Sequence, residues 1–266
     1  MVTKCIDISF WQGKIDFKKL AKTGVKSIII KCGGSDGEVK YYKDSKFVRN
    51  YNEAKKYGFF IGVYYFAGSD FITENEGKMC GKRCYEIIKD CELDLPVYID
   101  VEATQPKHYY GTTDAILSFC SVIEKKGFKS GVYASALSGY DRLFSYEKVK
   151  NKSIWVAEWD DKRGDFPPKC DIWQYTSTGK LNGIDGYVDM DICYIDIDVK
   201  SIEKKKTKTK ISNVQNIYNI RYKELAHKVL DGEYGNGAER KKKILSKGYD
   251  YNYVQALVNA MLSEKT

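Results

Sequence analysis

The chain has 266 residues, 43% of them hydrophobic, and a formal charge of +8, which is enough for one large core and a second small one. Its only histidines are His108 and His227, so Ser-His or Cys-His nucleophilic chemistry is poorly supplied. No apolar run reaches a signal core or the ~20 residues of a membrane span.

The charge is uneven. Residues 1–196 carry 29 Lys+Arg against 28 Asp+Glu, whereas residues 197–266 carry 15 against 8. A basic tail of this kind suits nucleic acid, an anionic membrane or an anionic wall polymer, and charge alone does not choose among them. The eight cysteines are scattered without a CxxC pair and read as buried free thiols. Cys80 and Cys84, one helical turn apart and followed by Cys91, read as the apolar stripe of a helix and not as a zinc site.

In chain order, Lys4 to Ser9 reads as a first strand with Asp7 near its end, followed by a Phe10–Gly13 loop and a short helix over 16–20. Val25 to Lys31 is a second strand. The glycine-rich stretch 33–37 lacks a Walker lysine and reads as a turn. A helix over 44–57 leads into a strand over 59–66, which brings Tyr64, Tyr65 and Phe66 to the upper edge. A helix over about 73–91 precedes the central strand, Pro96 to Glu102. Residues two apart on a strand share a face and lie roughly 6.6 Å apart at Cα, so Asp100 and Glu102 point the same way. In parallel α/β folds the strand carboxyl ends line the ligand crevice, which makes this pair the leading candidate for chemistry.

A helix over about 113–126 and a strand over 130–133 continue the alternation, which predicts a parallel sheet or barrel. Beyond residue 147 three strands follow, around Ser153–Ala157, Asp171–Tyr175 and Tyr187–Ile192, with connections too irregular for good helices. Eight strands fit a modified TIM-like α/β barrel of five strand-helix units and three further strands. The run Glu203 to Lys210 has no apolar period and reads as a linker. Helical patterns over 222–230, 238–246 and 253–262 then predict a small three-helix unit. Its tyrosines, among them Tyr222, Tyr234, Tyr249 and Tyr251, supply much of the core. The predicted domains are thus 1–197, a basic linker at 198–216, and 217–266.

Asp7-Ile8-Ser9 with Trp11-Gln12-Gly13, Gly62 to Ala67, Tyr98 to Glu102, Trp173-Gln174-Tyr175 and Val188 to Asp191 together resemble the motif set of the family 25 glycoside hydrolases, lysozymes of the N-acetylmuramidase type. The resemblance covers about residues 3–195. The tail resembles the three-helix cell-wall-binding repeat of the seventh class through Leu225-Ala226, Val229 to Gly232, Tyr234 to Gly237, Arg240, Gly248 to Tyr251 and Val254-Gln255. Tyr234 stands where that motif commonly has Trp, which implies a smaller aromatic platform. Repeat residues carried over are Asp231, Gly232, Tyr234, Asn236, Gly237 and Arg240.

The resemblance implies a peptidoglycan hydrolase that cuts the β-1,4 bond between N-acetylmuramic acid and N-acetylglucosamine, with Glu102 as the acid and Asp100, Asp7 and Asp189 completing the acidic cluster. Glycoside hydrolysis needs one carboxylic acid for the leaving oxygen and a second group for the cationic centre. A neighbouring Asp100 carboxylate would raise the Glu102 pKa. The second group is either a carboxylate or the substrate's own N-acetyl group, and the reading favours the latter. Tyr64, Tyr65, Tyr133, Trp159, Trp173 and Gln174 are the candidate sugar-binding residues, with core packing the alternative for the aromatics.

No cofactor and no metal is expected. The expected partner is bacterial peptidoglycan, without nucleic acid or membrane insertion, and with self-association through the C-terminal domain left open. The expected setting is synthesis in the cytoplasm without a signal peptide and action on the wall after release, as for a phage or prophage endolysin. The competing classes are a binding protein that has lost one of its acids, a metal-dependent hydrolase, and a nucleic-acid enzyme using the basic tail.

Overall fold

The computed structural model describes residues 2–36, 40–159, 164–197, 222, 224–249 and 251–263. The predicted linker at 198–216 lies outside them. Among the described residues nine strands form one sheet: β1 (Thr3–Ile8), β2 (Ser27–Gly34), β3 (Tyr42–Lys43), β4 (Phe60–Phe66), β5 (Val97–Asp100), β6 (Ser130–Ser135), β7 (Ser153–Ala157), β8 (Ile172–Gly179) and β9 (Val188–Cys193). Eight of them close into a barrel in the order β1-β9-β8-β7-β6-β5-β4-β2, with β2 returning to β1, and the two-residue β3 is appended to the outside of β2. β1, β2 and β4 to β8 run parallel, while β9 is antiparallel to both neighbours and closes the ring by pairing Asp189 with Asp7.

All eight predicted barrel strands are present. β3 was not expected, and β2 runs on through Gly33 and Gly34, which the sequence reading placed in a turn. The two glycines are there because Tyr42 lies against them: a Cβ on Gly33 would meet the Tyr42 carbonyl oxygen at 2.2 Å.

The helices α1 (Phe17–Leu20), α2 (Phe47–Lys56), α3 (Glu74–Ile88), α4 (Tyr109–Lys125) and α5 (Tyr146–Val149) cover the barrel. α1 and α3 begin at capping side chains, which satisfy backbone donors left open at a first turn. Asp16 accepts from Lys19 N at 3.0 Å and Thr73 accepts from Glu76 N at 3.2 Å. α3 and α4 pack closely because Gly77 faces the Ala115 backbone, where a Cβ would lie 2.1 Å from the carbonyl oxygen. Cys80 and Cys84 are fully buried on the inner stripe of α3, as the helical spacing predicted. All eight cysteines are free thiols.

Strand alternation divides the apolar residues into two layers. Ile6, Ile28, Ile30, Val63, Ile99, Val132 and Val156 face outward and meet the helices in the main core. Cys5, Ile29, Tyr98, Trp155, Ile172 and Cys193 face inward and fill the barrel. Tyr98 lies flat across β6 because Gly131 has no side chain, and a Cβ there would stand 2.3 Å from the ring. In the C-terminal unit, Tyr222, Leu225, Ala226, Val229, Tyr234, Ile244, Val254 and Val258 form a separate core. Helix covers residues 224–230, Gly237–Ser246 and Tyr251–Ser263. Among the described residues no helix is long and apolar enough to cross a membrane.

Candidate active site

Polar residues take over the barrel interior towards the carboxyl ends of the parallel strands. Asp7 on β1 is buried and opposite Asp189 on β9, which places two acids side by side where the ring closes. Gln174 on β8 joins this pair: its Nε2 donates to Asp7 Oδ2 at 2.8 Å. Its Oε1 accepts from the Tyr133 hydroxyl and from Trp159 Nε1, both at 3.0 Å. These two donors fix the amide orientation, so Asp7 faces an N–H donor and not a second acceptor. Asp100 closes β5, and Glu102 lies two residues beyond it at the mouth.

The electrostatics follow from crowding acids into a confined space. Burial is the first cause in every case, since it penalises the charged form. Asp7 is pushed well above its ordinary value by burial, then by Asp191 and Asp189, with the Gln174 hydrogen bond opposing. Asp189 is pushed up to about 6 by burial, with Glu102 adding to it. Asp100 is raised well above its usual range by burial and then by Glu102, while Lys31 pulls it down. Glu102 is solvent-exposed at the mouth, yet the surrounding walls remove enough water to raise its carboxyl, with Lys31 again opposing. The sequence reading assigned the rise at Glu102 to repulsion by Asp100. In the structure burial is the first cause of the rise at both carboxyls, and the repulsion between Asp100 and Glu102 adds to it.

Of the other expected sugar-binding residues, Tyr64 and Tyr133 point into the barrel, both with rings against Trp155. Trp159 stands at the rim, 64% exposed, held by its bond to Gln174. Tyr65 and Trp173 do not join them. One residue along from Tyr64, Tyr65 faces the helices, fully buried, and donates to the Gly34 carbonyl at 2.8 Å. Trp173 likewise points away from its neighbour Gln174, and its indole donates to the Glu158 carbonyl at 2.8 Å. Their motif neighbours carry the site, and period-two alternation turns these two outward.

Several site residues were missed. Asp191 is buried on β9 and accepts from Trp155 Nε1 at 2.8 Å, while its other oxygen has no hydrogen-bond partner among the described residues. Its spacing from Asp189 was the available signal. Lys31 is buried on β2 with its ammonium 4.5 Å from the Phe66 ring centre, and its place two residues after inward-facing Ile29 could have found it. The loops at this end also expose Trp11, 77% accessible just beyond β1, and Tyr110 and Tyr187. The Ser9–Gln12 capping box fixes the turn that presents Trp11.

In the C-terminal unit, Asp231 lies exposed in a turn, and Gly232 and Gly237 adopt φ values of +84° and +55°, which favour glycine. Arg240 braces this turn. It donates to Gly235 O at 2.9 Å, Asn236 Oδ1 at 2.8 Å and Gln255 Oε1 at 3.2 Å. Tyr234 is not an open aromatic platform: it is buried in the small core, with Lys247 donating to its hydroxyl at 2.8 Å.

Among the described residues no group of three or more His, Cys, Asp or Glu is arranged to hold a metal ion. Two of the inner acids, Asp7 and Asp191, instead accept from side-chain donors, Gln174 and Trp155. The arrangement suits proton transfer to a leaving oxygen beside a centre of developing positive charge.

Comparison with known proteins agrees with this geometry. The sequence profile of the glycosyl hydrolases family 25 matches residues 6–184, and that of the CW_7 repeat matches residues 223–262. The autolytic lysozyme of Clostridium acetobutylicum is 29% identical over 188 residues, covering 71% of this chain and 55% of that protein. Lysozyme M1 of Streptomyces globisporus is 26% identical over 204 residues, covering 69% and 65%. The chain therefore spans between half and two thirds of the length of these two relatives. Among solved structures, the CTP1L endolysin superposes with a TM-score of 0.63 at 27% identity, covering 78% of this chain and 70% of the endolysin. A family 25 glycosyl hydrolase from Bacillus anthracis superposes at 0.61 and 24% identity, covering 76% and 92%, and supports the fold. The chain belongs to the glycosyl hydrolases of family 25 and carries a CW_7 repeat towards its C-terminal end.

Proposed function

We propose that the chain is a peptidoglycan hydrolase that cleaves the β-1,4 bond between N-acetylmuramic acid and N-acetylglucosamine. The observation that carries this reading is the convergence of Asp7, Asp100, Glu102 and Asp189 at the open end of the barrel, with carboxyl pKa values raised by burial. Glu102, at the mouth with its carboxyl raised by burial, donates its proton to the departing glycosidic oxygen. Positive charge then develops at the sugar C1, facing the carboxylates beneath. The neighbouring acetamido oxygen bonds to C1 as the leaving oxygen departs. Water then opens that ring, passing its proton to the Glu102 carboxylate and regenerating the acid. Asp189 is the group for the acetamido N–H, and Gln174 holds Asp7 in place behind it. Tyr64 and Tyr133 line the sugar pocket, and Trp159 and Trp11 offer faces on which rings of the glycan strand stack.

The C-terminal unit serves as a wall-binding module, with Asp231, Gly232, Asn236, Gly237 and Arg240 forming its braced turn. A tether to the insoluble polymer raises the local concentration of the barrel on its substrate. This suits an endolysin-like enzyme that acts on the cell wall after release.

The test is mass spectrometry of fragments released from purified peptidoglycan by the native protein and by Glu102→Gln. Fragments ending in reducing N-acetylmuramic acid, lost in the variant, are expected. New peptide ends, N-acetylglucosamine ends or no release would sink the muramidase reading.

A further inference from the structure

Lys31 is a buried cation among acids. It points into the barrel from β2, paired in register with Tyr64, at the position where the strand bulges before Gly33. A bulge re-aims the side chains beside it. Three aromatic rings surround the ammonium: Phe66 at 4.5 Å from the ring centre, Tyr42 at 5.8 Å and Tyr64 at 5.9 Å. All three lie within the range at which a ring face attracts a cation. Lys31 makes no salt bridge among the described residues, so the rings hold it and no single carboxylate captures it.

The titratable groups around it come from every neighbouring element. Asp100 and Glu102 come from the end of β5, Asp44 follows β3, Tyr42 lies on β3, Tyr64 on β4, and Asp36 follows β2. Asp44 is already committed, accepting from Phe10 N at 3.0 Å and Lys46 N at 2.8 Å. Asp100 is not: it is buried, and its Oδ1 has no hydrogen-bond partner among the described residues. Phe66, the ring nearest the ammonium, is the register partner of Asp100 across β4 and β5, which sets the cation beside the carboxyl pair. A buried carboxylate without a donor calls for such a compensating charge, and the charge of Lys31 opposes the rise at both Asp100 and Glu102.

We propose that Lys31 is the positioning residue of the carboxyl pair: held in place by Phe66, Tyr42 and Tyr64, it sets how many protons Asp100 and Glu102 share at working pH. It touches no reacting atom. Its through-space charge lets one carboxyl ionise while the other keeps the proton that catalysis spends. This rests on the hydrolase reading above.

The charge of Lys31 favours the ionised form of both carboxyls, so its removal moves their titration upward in pH. The experiment compares the native protein with Lys31→Met, which keeps an apolar stem in the cage, and with Lys31→Arg, which keeps the charge. The pH profile of kcat/KM is measured on a soluble uncrosslinked glycan strand, and the side-chain carboxyl carbons are titrated by NMR without substrate. In Lys31→Met the limbs of the profile and the pair's NMR titration move up by on the order of one pH unit, while Lys31→Arg keeps the native curve. These values belong to the pair and not to either residue. A uniform loss of activity with unmoved limbs, or a rise in KM alone, would overturn the proposal in favour of a structural or substrate-contact role. If Lys31→Met does not fold, a folded Lys31→Arg whose titration has moved overturns it, and one that has not moved supports it. The NMR titration needs no turnover. Failure of the native protein to release muropeptides would therefore sink the hydrolase reading and leave this measurement standing.

Discussion

The two halves of the barrel interior are built by the same alternation of side chains and have opposite chemistry. Below, Cys5, Ile29, Tyr98, Trp155, Ile172 and Cys193 close the interior as an apolar core. Above, on the same strands, Asp7, Lys31, Asp100 and Gln174 replace them. Cys5 and Asp7 are two residues apart, as are Ile29 and Lys31, Tyr98 and Asp100, and Ile172 and Gln174. The period of the strand decides which way a side chain faces, and position along it decides whether the side chain fills the apolar floor or joins the polar mouth. Trp155 joins the halves. Its ring packs against Tyr64, Tyr98 and Tyr133, and its indole donates to Asp191.

The division is tested most severely at that junction. Trp155→Ala removes a fully buried ring and leaves Asp191 without its donor, and should cost about 3–5 kcal/mol in denaturant unfolding. A smaller loss would mean that the lower half is not the main support of the upper one. Asp100→Asn should separate activity from stability. Muropeptide release should fall by about 10²-fold or more, while the melting temperature at pH 7 holds or rises because a neutral amide avoids the cost of burying charge. A variant that loses stability as well would show that the acid supports the fold.

Asp189 gives a pH-dependent version of the same contrast. Its folded value is pushed up to about 6, above the roughly 3.9 of an unfolded aspartate. The folded state therefore binds the proton more tightly, and stability falls as pH rises from about 4 through about 6. Asp189→Asn should melt higher than the native protein at pH 7 and alike at pH 3.5, as read by calorimetry at the two pH values. Equal differences at both would remove the electrostatic explanation. The smallest effect compares neighbours on β4. Tyr65→Phe loses one hydrogen bond to Gly34 and should cost about 1 kcal/mol of stability with activity unchanged, whereas Tyr64→Phe should lower activity and leave stability nearly as it was. The reverse pattern would mean that the facing of these two residues is misassigned.

Much of this was legible in the sequence because strand period and strand-end carboxylates are local signals. The eight barrel strands, the inward facing of Asp7 and Asp100, and the helical stripe of Cys80 and Cys84 all follow from spacing within a single element. What was missed depends on pairing between elements. Tyr65 and Trp173 stood in the right motifs, but only the sheet register shows which of two adjacent aromatics faces the acids. Lys31 ended an apolar run and read as a strand terminus, since the bulge and the rings that bury it come from β3 and β4. Tyr234 read as a platform because its burial depends on Lys247 and on helices further along the chain. The part that burial plays in raising Glu102 could not be read from spacing, which gives proximity to Asp100 but not depth.

The pairing of the first barrel strand with the last also bears on how the chain is made. Asp7 meets Asp189 only when β9 is laid against β1, and that contact spans nearly the whole barrel sequence. During synthesis the N-terminal acid leaves the ribosome long before its partner, and contacts this distant in sequence form late. A nascent chain that has not yet extended past Cys193 has neither a closed ring nor an assembled acidic mouth, so hydrolytic capacity should appear abruptly, near the end of barrel translation, and not accumulate with length.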